Sequence, residues 1–182
     1  MSQGDSFKYT YAVVWVPMLV VLLIWTIFWI EVDFGLNFND WGVYPRSISG
    51  LRGILASPFI HGSIEHLYNN TIPVAILTAA LFYFYRKIAW RVLLIGLLAS
   101  GLITWIIARP SYHIGASGMI YVLASFIFFK GIFSRHLRLV ALSLIVVFIY
   151  GSLIWYIFPI KDGISWEGHL GGFLSGLILA VV

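Results

Sequence analysis

Residues 11–30 read YAVVWVPMLVVLLIWTIFWI, a run of 20 residues without one charged side chain. A helix needs about 20 predominantly apolar residues to cross the hydrocarbon core of a bilayer. A removable secretory signal would end in small residues for cleavage, whereas Glu31 and Asp33 follow here. This stretch therefore predicts a retained membrane-spanning helix.

Five further apolar stretches follow the first one. They cover residues 67–85, 88–108, 116–133, 137–158 and 167–182. Over all 182 residues, 61% are hydrophobic and only 10% are charged, whereas soluble domains average about 45–50% and about 25%. We therefore expect an all-α polytopic membrane protein, with a short cytosolic N-terminus at residues 1–10 and a bundle of six transmembrane helices over residues 11–182. The same composition excludes a disordered chain, a coiled coil and a classical nucleic-acid-binding protein, so no nucleic-acid partner is expected.

The basic residues indicate which loops face the cytosol. Two connections between spans carry three bases each and no acid: Arg86, Lys87 and Arg91 in one, and Lys130, Arg135 and Arg138 in the other. Cytoplasmic loops are enriched in Lys and Arg, so an even number of spans places both termini in the cytosol. The second, fourth and sixth spans then enter the membrane from the outer side. The long first connection, residues 31–62, mixes aromatic and polar residues and is expected to lie in the interface.

Polar residues inside the spans are expensive and mark a functional interior. They fall in one layer near the outer ends of three spans. His66 and Asn70 lie four residues apart on one face of the second span, Ser117 begins the fourth, and His169 lies near the start of the sixth. At 1.5 Å of rise per residue, this layer is roughly 8–12 Å below the outer surface.

Ser117 and His169 together have the chemistry of a serine hydrolase. Gly115 can adopt backbone angles closed to other residues, so the chain could turn sharply and present the Ser117 hydroxyl and backbone N–H to a cavity. Gly172 and Gly176 form a small-residue ridge that allows close helix packing. If the neighbour is the fourth span, the His169 imidazole could reach Ser117 and act as general base.

Each of these residues also has an ordinary structural reading. Ser117 could cap or pack a helix, His169 could be a satisfied interior histidine, and Tyr121 could be a packing aromatic. His66 and Asn70 could form an interhelical hydrogen-bonded pair, and His61 could simply order the region above them. Glu167 is two residues from His169 and so on a different helical face, which favours a Ser–His dyad over a triad.

Three motifs in order resemble the rhomboid intramembrane serine proteases, most nearly the bacterial GlpG type. They are His61-x4-His66-x3-Asn70, Gly115-Ala116-Ser117-Gly118-x2-Tyr121 and Gly168-His169-x2-Gly172-x3-Gly176, in the second, fourth and sixth spans. The resemblance implies Ser117 as nucleophile, His169 as general base and then acid, and an oxyanion hole of His66, Asn70 and the Ser117 backbone N–H. It also implies that Tyr121 packs under His169.

The resemblance extends to location and partners. It implies a multi-pass protein of the bacterial inner membrane with the active site toward the periplasm, no cofactor, and transmembrane-helix proteins as substrates within the lipid bilayer. Arg52 matches the arginine of a Trp-Arg pair in the family's first loop and suggests a structural role there, although Leu51 stands where the family has tryptophan. The loop at residues 159–163 is a hypothetical mobile cap over the site.

Three other functions fit the sequence less well. A catalytically silent escort factor of the same fold is disfavoured because such relatives generally lack the serine or the histidine. A metal site on His61, His66 and His169 is disfavoured because there is no His-Glu-x-x-His motif, no cysteine and little interior carboxylate. A small transporter would be expected to show repeat symmetry, and the sequence shows none.

Overall fold

The computed structural model of the protein describes residues 3–160 and 163–182, with side chains from residue 11 onward. Residues 1 and 2, part of the expected N-terminal segment, and Lys161 and Asp162 of the expected cap loop lie outside the described residues. The described residues form seven α-helices: α1 (Gln3–Phe34), α2 (Gly53–Ala56), α3 (Ile64–Phe84), α4 (Ala89–Ile107), α5 (Ser117–Phe133), α6 (Leu137–Tyr150) and α7 (Trp166–Val181).

The six long helices confirm the expected helical membrane bundle, with some differences at their ends. The first helix begins at Gln3 rather than near residue 11. The α3 helix begins at Ile64 because the Ser63 hydroxyl accepts a hydrogen bond from the His66 backbone N–H, a normal N-cap. The fifth stretch does not stay α-helical to residue 158, since α6 ends at Tyr150 and continues as a 3₁₀ helix, Gly151–Ile157.

The described segments differ in whether they are long and apolar enough to cross a bilayer. Four segments are long and apolar enough to do so: Tyr11–Phe34, Ile64–Phe84, Ala89–Ile107 and Leu137–Ile157. The α5 helix has 17 residues, or about 25 Å of helix against a hydrocarbon core of about 30 Å.

The core lies around α5, which packs against α3, α4, α6 and α7. Its closest neighbour is α7, because two glycines of α7 meet the α5 backbone directly. A Cβ on Gly172 would clash with the carbonyl oxygen of Gly118, and one on Gly176 would clash with that of Val122. This small-residue ridge brings the two helices that carry Ser117 and His169 together.

The first loop is folded rather than extended. It contains α2 and three 3₁₀ helices, Asn39–Trp41, Ser49–Arg52 and Ser57–Phe59. The Arg52 guanidinium lies over the Trp41 ring, 4.8 Å from its centroid, and donates to the Asp40 carbonyl oxygen at 3.0 Å. The aromatic ring that packs against the Arg52 guanidinium is therefore that of Trp41 and not that of a neighbouring residue in sequence.

Candidate active site

The start of α5 places the Ser117 hydroxyl at the bottom of a turn. Gly115 has φ of +105°, a conformation that a side chain would strain, and its N–H donates to the Ser57 carbonyl oxygen at 2.9 Å. Ala116 is the N-cap residue and Ser117 the first helical residue. The first backbone N–H groups of a helix have no intrahelical acceptor, so the Ser117 N–H is available to bind an incoming oxygen.

His169 contacts Ser117 across the α5–α7 interface. Its Nε2 lies 2.9 Å from Ser117 Oγ, and its Nδ1 lies 2.9 Å from the carbonyl oxygen of Tyr156. A carbonyl can only accept, so Nδ1 must carry the proton. Neutral imidazole has one donor and one acceptor nitrogen, so in this tautomer Nε2 accepts from the serine hydroxyl. The pair has the hydrogen-bond geometry that an activated serine requires.

Tyr121 supports the imidazole from below. The two rings stack with centroids 4.4 Å apart and planes 14° apart. The Tyr121 hydroxyl donates to the Leu153 carbonyl oxygen at 2.6 Å. Leu153 and Tyr156 both belong to the 3₁₀ helix that follows α6, so this one segment fixes the ring under His169 and the acceptor on its far nitrogen.

His66 and Asn70 reach the same turn from α3. A Cβ built on Gly115 would lie 2.5 Å from His66 Nε2 and 3.8 Å from Asn70 Nδ2, so both side chains contact the residue two positions before Ser117. Asn70 is buried and donates through Nδ2 to the His66 carbonyl oxygen at 2.9 Å. The structure therefore places His66 and Asn70 beside Gly115, two residues before Ser117.

His61 lies in the loop before α3 and is almost fully buried. Its Nε2 lies 3.5 Å from the Ala116 backbone nitrogen, and its ring meets that of His66 edge-on at 4.9 Å. Burial, together with the neighbouring His66, lowers the pKa of His61 from 6.5 to about 4. His61 is thus neutral at physiological pH, and its side chain packs against Ala116 and His66 beside the turn that precedes Ser117.

The depressed pKa of His61 predicts a loss of stability in mild acid. Between pH 6.5 and about 4 the unfolded chain binds a proton on His61 that the folded protein does not, so the free energy of unfolding falls as the pH falls. The shift corresponds to on the order of 3 kcal/mol. We expect the thermal midpoint of unfolding in detergent micelles to be lower at pH 4.5 than at pH 7. The difference should be smaller for the His61→Gln variant. An equal dependence of the thermal midpoint on pH in the wild type and in His61→Gln would contradict this assignment. A residual slope is expected from His113, whose pKa is also lowered, mainly by burial.

A polar network that the sequence did not reveal joins the loop before α5 to the start of α7. Glu167, 1% exposed, accepts a hydrogen bond from the Arg109 backbone N–H at 3.1 Å and lies 3.4 Å from its guanidinium. His113 bonds through one ring nitrogen to the Arg109 carbonyl oxygen and through the other to Ser165 Oγ. As expected from its helical face, Glu167 bonds to Arg109 rather than to His169. The signal that could have found it was an Arg and a Glu at the outer ends of two different spans.

A cavity of about 40 Å³ adjoins Ser117. The polar side chains that line it are those of Ser57, Ser100, Thr104, His113, Ser117 and Ser165. A water needs roughly 10–15 Å³ and two to four polar partners, so this cavity can hold one beside the nucleophile. No group of three or more His, Asp or Glu side chains in the described part of the chain is arranged to hold a metal ion.

The helices and the site together define a class of protein: a polytopic helical membrane protein that carries a serine–histidine pair, recessed at the N-terminal ends of two closely packed helices. A family model described as "Rhomboid domain" matches residues 49–182. The chain belongs to the rhomboid family, a family of intramembrane proteases, and it is an integral membrane protein.

Relatives are found in mycobacteria. Proteins of Mycobacterium tuberculosis and Mycobacterium bovis are 31% identical over 170 residues, which cover 88% of this chain and 70% of each relative. A protein of Mycobacterium leprae is 33% identical over 155 residues, covering 79% of this chain and 61% of the relative. All three are described as uncharacterised, so they support the family and transfer no activity.

Proposed function

We propose that the protein is an intramembrane serine endopeptidase that cleaves transmembrane segments of other membrane proteins through a Ser117–His169 dyad. The observation that carries this proposal is the 2.9 Å contact between His169 Nε2 and Ser117 Oγ, with His169 Nδ1 held by the Tyr156 carbonyl oxygen. The Tyr156 carbonyl takes the orienting role that an Asp carboxylate has in a catalytic triad. It fixes the tautomer without adding a charge within the membrane.

The reaction follows from these positions. Ser117 Oγ attacks the carbonyl carbon of the scissile peptide bond while its proton passes to His169 Nε2. The tetrahedral intermediate collapses, His169 gives that proton to the leaving amine, and the C–N bond breaks to leave an ester on Ser117. A water then loses a proton to His169 and attacks the ester, and His169 returns the proton to Ser117 Oγ. The cavity beside Ser117 is suited to supply that water.

The oxyanion that forms in both steps needs fixed donors. His66, Asn70 and the Ser117 backbone N–H converge on the turn at Gly115, and donors held in place before the reaction stabilise developing charge without reorganisation. In this proposal they bind the oxyanion, and His61 holds the turn from behind.

Asn70→Ala is expected to lower kcat on the order of 100- to 1,000-fold with little change in KM, because the amide donates only to charge that develops in the transition state. Steady-state cleavage of a transmembrane reporter by purified protein measures this. Asn69→Ala is the matched control, since Asn69 lies next to it on α3 but is exposed. A change in KM with kcat unchanged, or equal effects of the two variants, would contradict the assignment of Asn70 to the oxyanion hole.

The substrate class follows from where the site lies. Ser117 is recessed within a helical bundle, so a peptide bond reaches it from a membrane-embedded segment that approaches laterally. The carbonyls of an intact helix are occupied by internal hydrogen bonds, so small or helix-breaking residues near the cut should favour cleavage by letting the segment unwind.

The charge pattern orients the site in the membrane. The basic residues of the α3–α4 and α5–α6 connections lie at the end of the bundle opposite Ser117, since α5 begins at Ser117 and ends at Phe133. By the positive-inside pattern, that end faces the cytosol, both termini are cytosolic, and the site faces the periplasm of a bacterial inner membrane. The presence of both Ser117 and His169 favours a protease over a catalytically silent escort factor.

The test is cleavage of a reporter transmembrane segment by the protein in liposomes, with and without a metal chelator. We expect cleavage near the outer boundary of the reporter segment, unchanged by the chelator. Binding without cleavage across several reporters would support the escort factor instead, and inhibition by the chelator would contradict a serine mechanism.

A further inference from the structure

A second, larger cavity lies below the site. Its volume is about 350 Å³, and it lies between α5, α6 and α7, bounded at one end by the 3₁₀ helix Gly151–Ile157. The space exists because α6 and α7 each pack against α5 but make few contacts with each other. Among its lining residues are Tyr121, Ala124, Phe128, Val147, Ile154 and Phe173.

The lining of this cavity is largely apolar, and its three side-chain hydroxyl groups belong to Tyr121, Ser125 and Tyr150. The Ser125 hydroxyl donates to the Phe173 carbonyl oxygen at 2.8 Å, and the Tyr121 hydroxyl donates to that of Leu153 at 2.6 Å. A cavity lined by aliphatic and aromatic side chains stays dry and takes apolar ligands. Water is therefore a poor occupant here, and hydrocarbon is a good one.

The cavity opens toward the bilayer. Val147 and Ile154, which line it, are 44% and 39% exposed on a segment long and apolar enough to span the membrane. An engineered cavity of about 150 Å³ holds one benzene, so about 350 Å³ accommodates roughly twice that amount of hydrocarbon. A transmembrane helix is about 10–12 Å across, so one turn of it exceeds this space. The available occupant of the right width is a lipid acyl chain.

The cavity borders both groups that hold His169. Tyr121, which stacks under the imidazole, forms part of its wall. Leu153, whose carbonyl anchors Tyr121, also lines it and belongs to the same 3₁₀ segment as Tyr156. A 3₁₀ helix has poorer hydrogen-bond geometry than an α-helix and is rarely this long. This segment therefore gains from packing on an occupant.

We propose that the cavity between α5, α6 and α7 binds one acyl chain of a membrane phospholipid, and that the bound chain holds Tyr121 and the 3₁₀ segment in the arrangement that positions His169. The binding is independent of the proposed proteolysis. The effect on His169 rests on it.

Binding is tested in liposomes with a phospholipid that carries a diazirine in the middle of one acyl chain. We expect photo-crosslinks on cavity-lining residues of α5, α6 and α7. Ala124→Phe places a ring in the cavity and should reduce them about tenfold. Ala141→Phe is the matched control, because Ala141 is on the exposed face of α6 and does not line the cavity. Crosslinking equal in the two variants would overturn the proposal, as would crosslinking of the cavity to a substrate segment in place of lipid.

A second variant guards against a folding defect in the first. Gly151→Leu also adds bulk to the cavity lining, and a Cβ at Gly151 meets only Val147 Cγ1, at an ordinary 3.5 Å. Each variant is compared with the wild type by size-exclusion profile and thermal midpoint. Loss of crosslinking in every variant that remains well folded supports the site, and unchanged crosslinking in any variant that remains well folded overturns it.

The positioning role is tested separately in delipidated micelles. Adding phospholipid should raise kcat of the wild type and of Ala141→Phe several-fold with KM unchanged. The kcat of Ala124→Phe should not respond, because the phenylalanine ring already occupies the cavity. An equal response in all three proteins would overturn the positioning role while the crosslinks still decide binding. A wild type that crosslinks at the cavity but never cleaves would end the proposed function and the positioning role, and leave the lipid site standing.

Discussion

Ser117→Ala is expected to reduce cleavage of a transmembrane reporter by on the order of 10⁴-fold or more, to the background of the assay. Removing the nucleophile of a serine protease eliminates the covalent route, and what remains comes from binding and the oxyanion hole alone. His169→Ala should have a similar effect, because without Nε2 the Ser117 proton has no acceptor in contact with it. The double variant should be no worse than either single one, because the two residues act as a unit.

Ser125→Ala is the matched control for Ser117→Ala. Ser125 is a buried serine two turns further along α5, and its hydroxyl donates to the Phe173 carbonyl oxygen rather than to a reacting group. It should cost about 1 kcal/mol of stability and leave kcat within a few-fold of wild type. Cleavage that survives Ser117→Ala, with products at the same position, would contradict the dyad.

Gly172→Ala is expected to lower stability and cleavage rate together. The added methyl group would clash with the Gly118 carbonyl oxygen and lie 2.9 Å from Tyr121 Cβ, so α7 must move away from α5. Overpacking of this kind costs typically 1–3 kcal/mol. It also lengthens the Ser117–His169 contact, and a misplacement of about 1 Å can cost 100-fold in rate. Thermal midpoint and kcat should fall together.

Gly62→Ala is the control for that experiment. A Cβ at Gly62 would meet only Ile114 Cδ1, at an ordinary 3.5 Å, so stability and cleavage should stay near wild type. If Gly172→Ala behaved like Gly62→Ala, the close approach of α5 and α7 described here would be wrong.

The sequence was sufficient for the parts of the fold that depend on residue type. Long apolar runs gave the six long helices, because the bilayer imposes both length and composition. The layer of Ser117, His66, Asn70 and His169 could be predicted because polar groups inside spans are costly and rare, and the structure brings these four residues to one turn. Gly172 could be predicted as a packing site from its spacing to Gly176.

Other parts depend on groups that leave no trace in the sequence. The acceptors for His169 and Tyr121 are the backbone carbonyls of Tyr156 and Leu153, and every residue has a carbonyl. The change from α to 3₁₀ geometry after Tyr150 does not alter apolar composition, so the fifth stretch read as one helix.

The remaining contacts that the sequence did not predict join residues far apart in the chain. Arg109 and Glu167 are hydrogen-bonded although 58 residues separate them in sequence. The ring that packs against Arg52 is that of Trp41, whereas the resemblance to the family pointed to position 51. Such contacts are set by how loops pack over the helix ends. The spacing of residues along one helix predicted that His66 and Asn70 share a face. It carries no information about contacts between loops and distant helix ends.

Covalent labelling of the wild-type protein with a fluorophosphonate most directly tests whether Ser117 is an activated nucleophile. Its Oγ would displace fluoride from the probe and form a phosphonyl ester that mass spectrometry locates on a peptide. We expect one adduct, on Ser117, absent in Ser117→Ala, strongly reduced in His169→Ala and unchanged in Ser125→Ala. An adduct confined to another serine, or equal labelling of Ser117 with and without His169, would contradict the account.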